Sequence, residues 1–289
     1  MKYVTSLVAL VIAVPMARAG TLDPVQHRAY DANAGWLDGS ATSASSATVG
    51  SHYLSGQAYS ANYGWINLGS GAPANGYAYS NSGAEFGVNL DSEAGQLSGF
   101  AYAANIGWIN FGWAAAANPQ RPRVDLLTGQ LAGFAWCANT GWIDLSAMKT
   151  LSLAEIDLDG DGIDDAWEWL HFGSLRTADE STDKDGDGIS DKDEAIALTD
   201  PNDPASGLRI LSHTTASAGA FQNWTVTFTS HPARRYGIQI SPDLELGNWS
   251  ESSLGIFSPD GGSQTTRLAV SPNSPKYFLR VKAVKPLQP

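Results

Sequence analysis

Carboxylates recur at fixed spacing in two twelve-residue stretches, and that spacing suits a hard divalent cation. The first runs Asp157-Leu-Asp159-Gly-Asp161-Gly162-Ile163-Asp-Asp165-Ala-Trp-Glu168. The second runs Asp183-Lys-Asp185-Gly-Asp187-Gly188-Ile189-Ser-Asp191-Lys-Asp-Glu194. Each places Asp at positions 1, 3, 5 and 9, Gly at position 6 and Glu at position 12. Calcium takes about 6–8 oxygen ligands, and such a loop supplies them. The Asp side chains point inward, the main-chain carbonyl of Ile163 or Ile189 fills position 7, and the final Glu can bind with both oxygens. Gly162 and Gly188 permit the sharp turn around the ion. A single stretch of this kind could equally be a solvated acidic linker. Two full matches starting 26 residues apart, at Asp157 and Asp183, favour calcium, with about two ions or more.

The charge distribution agrees. The chain of 289 residues has a formal net charge of −12. From Glu155 to Asp203 there are 17 acidic and 3 basic residues, a net of −14. The remainder holds 12 acidic and 14 basic residues, a net of +2. The acidity therefore belongs to the cation loops. No basic stripe exists for nucleic acid, which excludes that class of partner. Close carboxylates repel by about 1 kcal/mol per pair even in water, so ion binding here is expected to be linked to folding.

Three segments must position these loops. Before them, residues 20–148 carry an internal repeat. Ala29-Tyr30-Asp-Ala-Asn33-Ala-Gly35-Trp36 returns as Ala58-Tyr59-Ser-Ala-Asn62-Tyr-Gly64-Trp65-Ile66. It returns again as Ala101-Tyr102-Ala-Ala-Asn105-Ile-Gly107-Trp108-Ile109 and as Ala135-Trp136-Cys-Ala-Asn139-Thr-Gly141-Trp142-Ile143. A degenerate copy is expected at Tyr79–Phe86. Alternating apolar and small residues with Gly and Asn punctuation predict short antiparallel strands and tight turns. The Asn-x-Gly step should return each Trp against the Tyr or Phe of its own unit. Units this small must stack to bury a face, either as a closed barrel or prism or as an open stack. As large aromatics, Trp36, Trp65, Trp108 and Trp142 are expected mainly as core wedges, one per unit. The competing reading places them outside, as platforms for sugar rings.

Within the acidic segment, residues 149–206, a short helix should leave each loop. One runs from Asp164 to Phe172 and is stopped by Gly173; the other runs from Asp191 to Leu198, ahead of Pro201. Trp167, Leu170 and Phe172 are the expected small core over the ions. Residues 207–289 read as a β-sandwich, with strands at Leu208–Ser212, Trp224–Thr229, Tyr236–Ile240, Thr265–Val270 and Tyr277–Val281. The fold class expected is thus mostly β: an antiparallel β repeat module, a short calcium-bound loop and helix segment, and a C-terminal β-sandwich.

The start of the chain reads as a signal peptide over residues 1–19. Lys2 precedes the apolar run Val8–Val14, and Ala17-Arg-Ala19 is a small-x-small cleavage site. The apolar run is too short to span a bilayer, so no membrane insertion is expected. An exported protein is the expectation, extracellular or on the cell surface, with the periplasm as the other destination. The single cysteine, Cys137, excludes an intrachain disulfide. Ser60 and Ala103 take the same slot in other repeats, so Cys137 reads as a small side chain.

The middle segment resembles bacterial thrombospondin type 3 repeats. In EF-hands and dockerins the apolar residue sits at loop position 8, where it pairs two loops. Here position 8 is Asp164 or Ser190, and the apolar residue is one earlier, at Ile163 or Ile189. That favours the thrombospondin type 3 likeness over a paired EF-hand. The Gly-Trp-Ile units and the C-terminal segment around Arg235-Tyr236-x-Ile238-x-Ile240 resemble parts of similar exported bacterial proteins. Neither likeness implies an activity.

The leading expectation is a secreted or surface protein of structural or adhesion type, in which calcium stiffens the link between two β modules. Extracellular calcium modules bind with Kd of about 10⁻⁴–10⁻³ M, which implies a constitutive brace. A carbohydrate-binding protein using the Trp and Tyr residues of the repeats is the alternative, with polysaccharide or another surface protein as partner. An enzyme is not expected. There is no Gly-x-Ser-x-Gly elbow and no His-Glu-x-x-His, and His27, His52, His171, His213 and His231 show no ligand-like spacing.

Overall fold

A computed structural model describes residues 21–41, 46–243, 248–272 and 277–288. Residues 1–19, expected to be a signal peptide, lie outside the described residues. The protein is mostly β, with two short helices between two β regions.

The repeats form hairpins. β1 (Leu22–Asp31) pairs with β2 (Gly35–Asp38). After β3 (Thr48–Val49), β4 (Leu54–Ser60) pairs with β5 (Gly64–Gly69). After β6 (Val88–Leu90), β7 (Leu97–Ala103) pairs with β8 (Gly107–Asn110). After the small ribbon of β9 (Arg123–Val124) and β10 (Leu131–Ala132), β11 (Phe134–Cys137) pairs with β12 (Gly141–Asp144). Each hairpin pairs with the next in antiparallel fashion, and β12 returns to β1 through Tyr30↔Asp144 and Asp31↔Ile143. The repeats are therefore a closed eight-stranded barrel. β13 (Met148–Thr150) extends β1 at one end.

The closed ring explains the repeat residue by residue. Ala29↔Leu37, Ala58↔Ile66, Ala101↔Ile109 and Ala135↔Ile143 are cross-strand partners, and all eight are buried. An eight-stranded barrel has an interior just wide enough for side chains to fill, so each hairpin contributes one small and one branched residue to it. The residues next in sequence must then face outward. Tyr30↔Trp36, Tyr59↔Trp65, Tyr102↔Trp108 and Trp136↔Trp142 do so, and every one of these rings is exposed. The repeated Trp residues are not core wedges.

The turns close the ring a second time. Asn62 donates its side-chain amide to Ala34 O at 2.7 Å, Asn105 to Tyr63 O at 2.7 Å, and Asn139 to Ile106 O at 2.8 Å. Asn33 completes the circle on Thr140 O at 2.6 Å. The glycine that follows each turn, such as Gly64 at φ 83°, holds the left-handed conformation needed to re-enter the strand. Gly99 serves close approach instead, since a Cβ there would lie 2.3 Å from Gly87 O. Residues 79–86 form no fifth hairpin. Tyr79 is buried, and its hydroxyl donates to Leu54 O at 3.3 Å and accepts from Gly71 N at 2.7 Å. Cys137 is wholly buried among the small inward residues.

Helices α1 (Asp165–Phe172) and α2 (Asp191–Ala197) follow. The C-terminal region has two three-stranded antiparallel sheets. One orders β14 (Ile210–Ala218), β15 (Phe221–Thr229) and β18 (Gln264–Pro272). The other orders β17 (Ser250–Phe257), β16 (Arg235–Ser241) and β19 (Phe278–Val284). Val226, Phe228, Tyr236, Ile238 and Ala269 fill the space between them. Strand β17 was not expected from the sequence, because Glu251-Ser-Ser-Leu254-Gly lacks a clean alternation.

Candidate metal centre

Each helix begins where a carboxylate loop ends. Asp164 caps α1 by accepting from Ala166 N at 2.8 Å, and Ser190 caps α2 by accepting from Asp193 N at 3.2 Å. Position 8 of each loop is thus a helix cap, which is why it is polar. Gly173, at φ 65°, ends α1 as expected. Leu198 ends α2 in the same left-handed conformation despite its side chain.

The first loop gathers its carboxylates closely. Ligand oxygens of Asp157, Asp159 and Asp165 lie within 4.8 Å of one another, as do those of Asp159, Asp161 and Glu168. In the second loop Asp183, Asp185 and Asp187 form such a group. Asp191 and Glu194 stand outside that group, yet both are wholly buried. Backbone amides orient the ring. Asp157 accepts from Gly160 N at 2.6 Å and Gly162 N at 3.0 Å; Asp183 accepts from Gly186 N at 2.8 Å and Gly188 N at 2.9 Å. Asp165 accepts from Leu158 N at 2.9 Å, and Asp191 from Lys184 N at 3.1 Å.

Several oxygens remain buried without a hydrogen-bond partner: both of Glu168, and one each of Asp161, Asp185, Asp191 and Glu194. A buried anion with no partner is costly, and a cation bound by these oxygens removes that cost. The donor set is all oxygen, as calcium requires. The residues therefore fit calcium. Burial, and then the neighbouring Asp161, Asp159, Asp165 and Asp157, push the Glu168 carboxyl up to about 8. Burial is also the first cause for Glu194, pushed up to about 7, with Asp185, Asp187 and Asp191 adding to it and the Thr199 hydroxyl opposing.

Ile163 and Ile189 stand at position 7 of the two loops. The Ile163 side chain is buried with Trp167, Ala178 and Ala195, and Phe172 packs at the edge. Leu170, expected in this core, is 43% exposed, because the helix turns it to solvent.

Residues 183–204 match the family model for the bacterial TSP3 repeat. The second loop and its helix are such a repeat. No curated protein and no solved structure matches the chain. The TSP3 repeat binds calcium, and the first loop reproduces its ligand pattern.

What the sequence missed is how the loops are held. Lys192, at position 10 of the second loop, donates to Asp161 O of the first at 2.8 Å. Ser51 of the barrel donates to Asp164 at 2.8 Å. Arg209, at the start of the sandwich, bridges to Asp187 at 2.5 Å, and Arg234 donates to Ile196 O at 2.6 Å. No spacing rule could find these contacts, since each joins residues far apart in sequence. Trp36, Trp65, Trp108 and Trp142 stand apart from the metal centre on the outside of the barrel. No helix among the described residues is long and apolar enough to cross a membrane.

Proposed function

We propose that this is an exported calcium-binding structural protein whose two ions lock the repeat barrel to the C-terminal sandwich. The observation that carries this reading is the set of buried carboxylate oxygens without partners, Glu168 above all. The contacts around the loops explain how ion binding becomes stiffness. The first loop is tied to the barrel through Ser51–Asp164, the second to the sandwich through Arg209–Asp187, and the loops to each other through Lys192. An ion in either loop therefore fixes groups that hold the other module. Attachment to a surface or to another surface protein is the adhesive use of such a braced pair of modules. No step of this role is catalytic.

A thermal melt of the mature protein in EDTA and in millimolar calcium tests the reading. Calcium should raise the transition that reports the brace. Identical melts in both buffers would sink it.

A second reading, carbohydrate binding, draws support from the outward rings. Trp36 is 55% and Trp108 51% exposed, where a core role would bury them. Quenching of Trp fluorescence by a soluble polysaccharide would support it.

A further inference from the structure

The ring pairs around the barrel are equivalent in register but not in surroundings. On β7–β8 and β11–β12 the outward row beside the pair holds Phe100 and Phe134. Added rings also pack there, with Phe86 5.0 Å from Trp108 and Trp113 4.6 Å from Trp142. These clusters are partners to themselves.

The first two hairpins differ. Tyr30–Trp36 and Tyr59–Trp65 each have ring centroids 5.0 Å apart, and among the described residues no third ring contacts either pair. Their neighbouring outward row is polar: Arg28 opposite Asp38, and Gln57 opposite Asn67. Asp38 is also the register partner of Tyr59 across β2–β4, so a carboxylate stands between the two platforms. It is held in place. One oxygen accepts from Ser40 N at 2.8 Å and meets the His27 ring at 2.7 Å; the other faces Arg28 at 3.7 Å. Asn67 is fixed through its carbonyl, which accepts from Gly69 N at 2.9 Å, so its amide nitrogen is oriented to donate.

We propose that these two adjacent platforms form one binding site for a neutral polysaccharide. This rests on the carbohydrate reading above and narrows it to one face of the barrel. The C–H face of a sugar ring lies on an aromatic face, while its hydroxyls replace the water around Asp38, Asn67, Gln57 and Arg28. An apolar protein surface would strip that water and return no hydrogen bonds, at a cost for every polar group covered. Nucleic acid and acidic glycans meet the Asp38 carboxylate and a barrel segment, residues 20–148, whose 8 acidic and 3 basic residues give a net charge of −5. Along the sheet neighbouring hairpins repeat every two strands, about 9–10 Å, and on a closed barrel their outward rings splay further apart. That span exceeds a single sugar ring and calls for a chain of sugars.

The test is affinity electrophoresis of the calcium-loaded protein in gels containing glucomannan, xyloglucan or β-glucan, with hyaluronan as the acidic control. The wild type should be retarded by at least one neutral polymer. Trp36→Ala with Trp65→Ala should weaken that binding about tenfold or more. Trp108→Ala with Trp142→Ala should leave it within about twofold. The single variant Trp36→Ala, verified by an unchanged melt, guards against misfolding of the pair and should also weaken binding. Loss confined to the Trp108 and Trp142 variant would overturn the location while leaving the carbohydrate reading intact. No retardation by any neutral polymer would overturn both. Stronger retardation by hyaluronan would overturn the neutral class.

Discussion

The barrel and the calcium segment are two different answers to the problem of holding a chain together without disulfides. The barrel buries an Ala and a branched residue from each hairpin and closes its hydrogen bonds in a ring. Its buried carboxylate, Asp31, accepts from Asn33 N at 2.8 Å and belongs to no carboxylate cluster among the described residues. The calcium segment has a core of only Ile163, Trp167, Ala178 and Ala195, and beside it the wholly buried carboxylates of Glu168, Asp191 and Glu194. Hydrophobic burial and a closed ring of hydrogen bonds stabilise the first. The second needs a cation to offset the charge its own fold desolvates. One module is built to be independent of its surroundings, and the other makes its order conditional on them.

The largest effect that would test this contrast is in the barrel. Ile109→Ala opens a cavity in a filled interior and should cost about 2–5 kcal/mol. Chemical denaturation should show that loss equally in EDTA and in calcium. A loss that depends on calcium would break the comparison. Glu168→Gln should act in the opposite way. It removes a buried ligand, and calcium titration should show the first site weakened about tenfold or more, roughly 1.4 kcal/mol. The barrel's own unfolding should be unchanged in EDTA. Glu194→Gln should do the same to the second site, and equal calcium affinity in both variants and the wild type would refute the ligand assignment.

A smaller effect is expected from the turn ladder. Asn105→Ala removes the bond to Tyr63 O and should cost about 1 kcal/mol, again without regard to calcium. A pH-dependent effect concerns the junction, where His52 sits in the barrel beside Ser51, the residue that holds Asp164. Burial, with the charge of His171 adding, pushes His52 down to about 4. The unfolded chain therefore binds a proton that the folded one rejects between about pH 6.5 and 4. This contribution to stability is complete above about pH 6.5 and is lost as pH falls through 4. Melts of His52→Gln across that window should show a shallower fall than the wild type. An identical pH profile would remove His52 from the account.

How much of this was legible depended on sequence distance. The twelve-residue loops could be read directly, because the ligands of one ion are local and their spacing sets their geometry. The repeat, its hairpins and the contact of each Trp with a Tyr or Phe of its own unit were legible for the same reason. The direction of the Trp residues was not. Ala-Tyr and Trp-Ile alternate between two apolar faces, and bulk alone suggested that Trp went inside. An eight-stranded ring is too narrow to hold four Trp–aromatic pairs in one layer, so Ala29 and Leu37, and their equivalents, took the interior. The error over Leu170 was of a similar kind, since a helix so short has a face chosen by its neighbours.

By itself, the amino-acid sequence determined the cation chemistry, the period of the repeat and the mostly β class. Each of these rests on residues a few positions apart, whose relation is fixed by local backbone geometry. Only the tertiary structure decided that β12 returns to β1, that the aromatic rings face solvent, and that Ser51, Lys192 and Arg209 tie the loops to each other and to both modules. Those outcomes join residues up to 114 positions apart, from Tyr30 to Asp144. Space, not spacing, selects such partners, through the closure of a sheet and the filling of its interior.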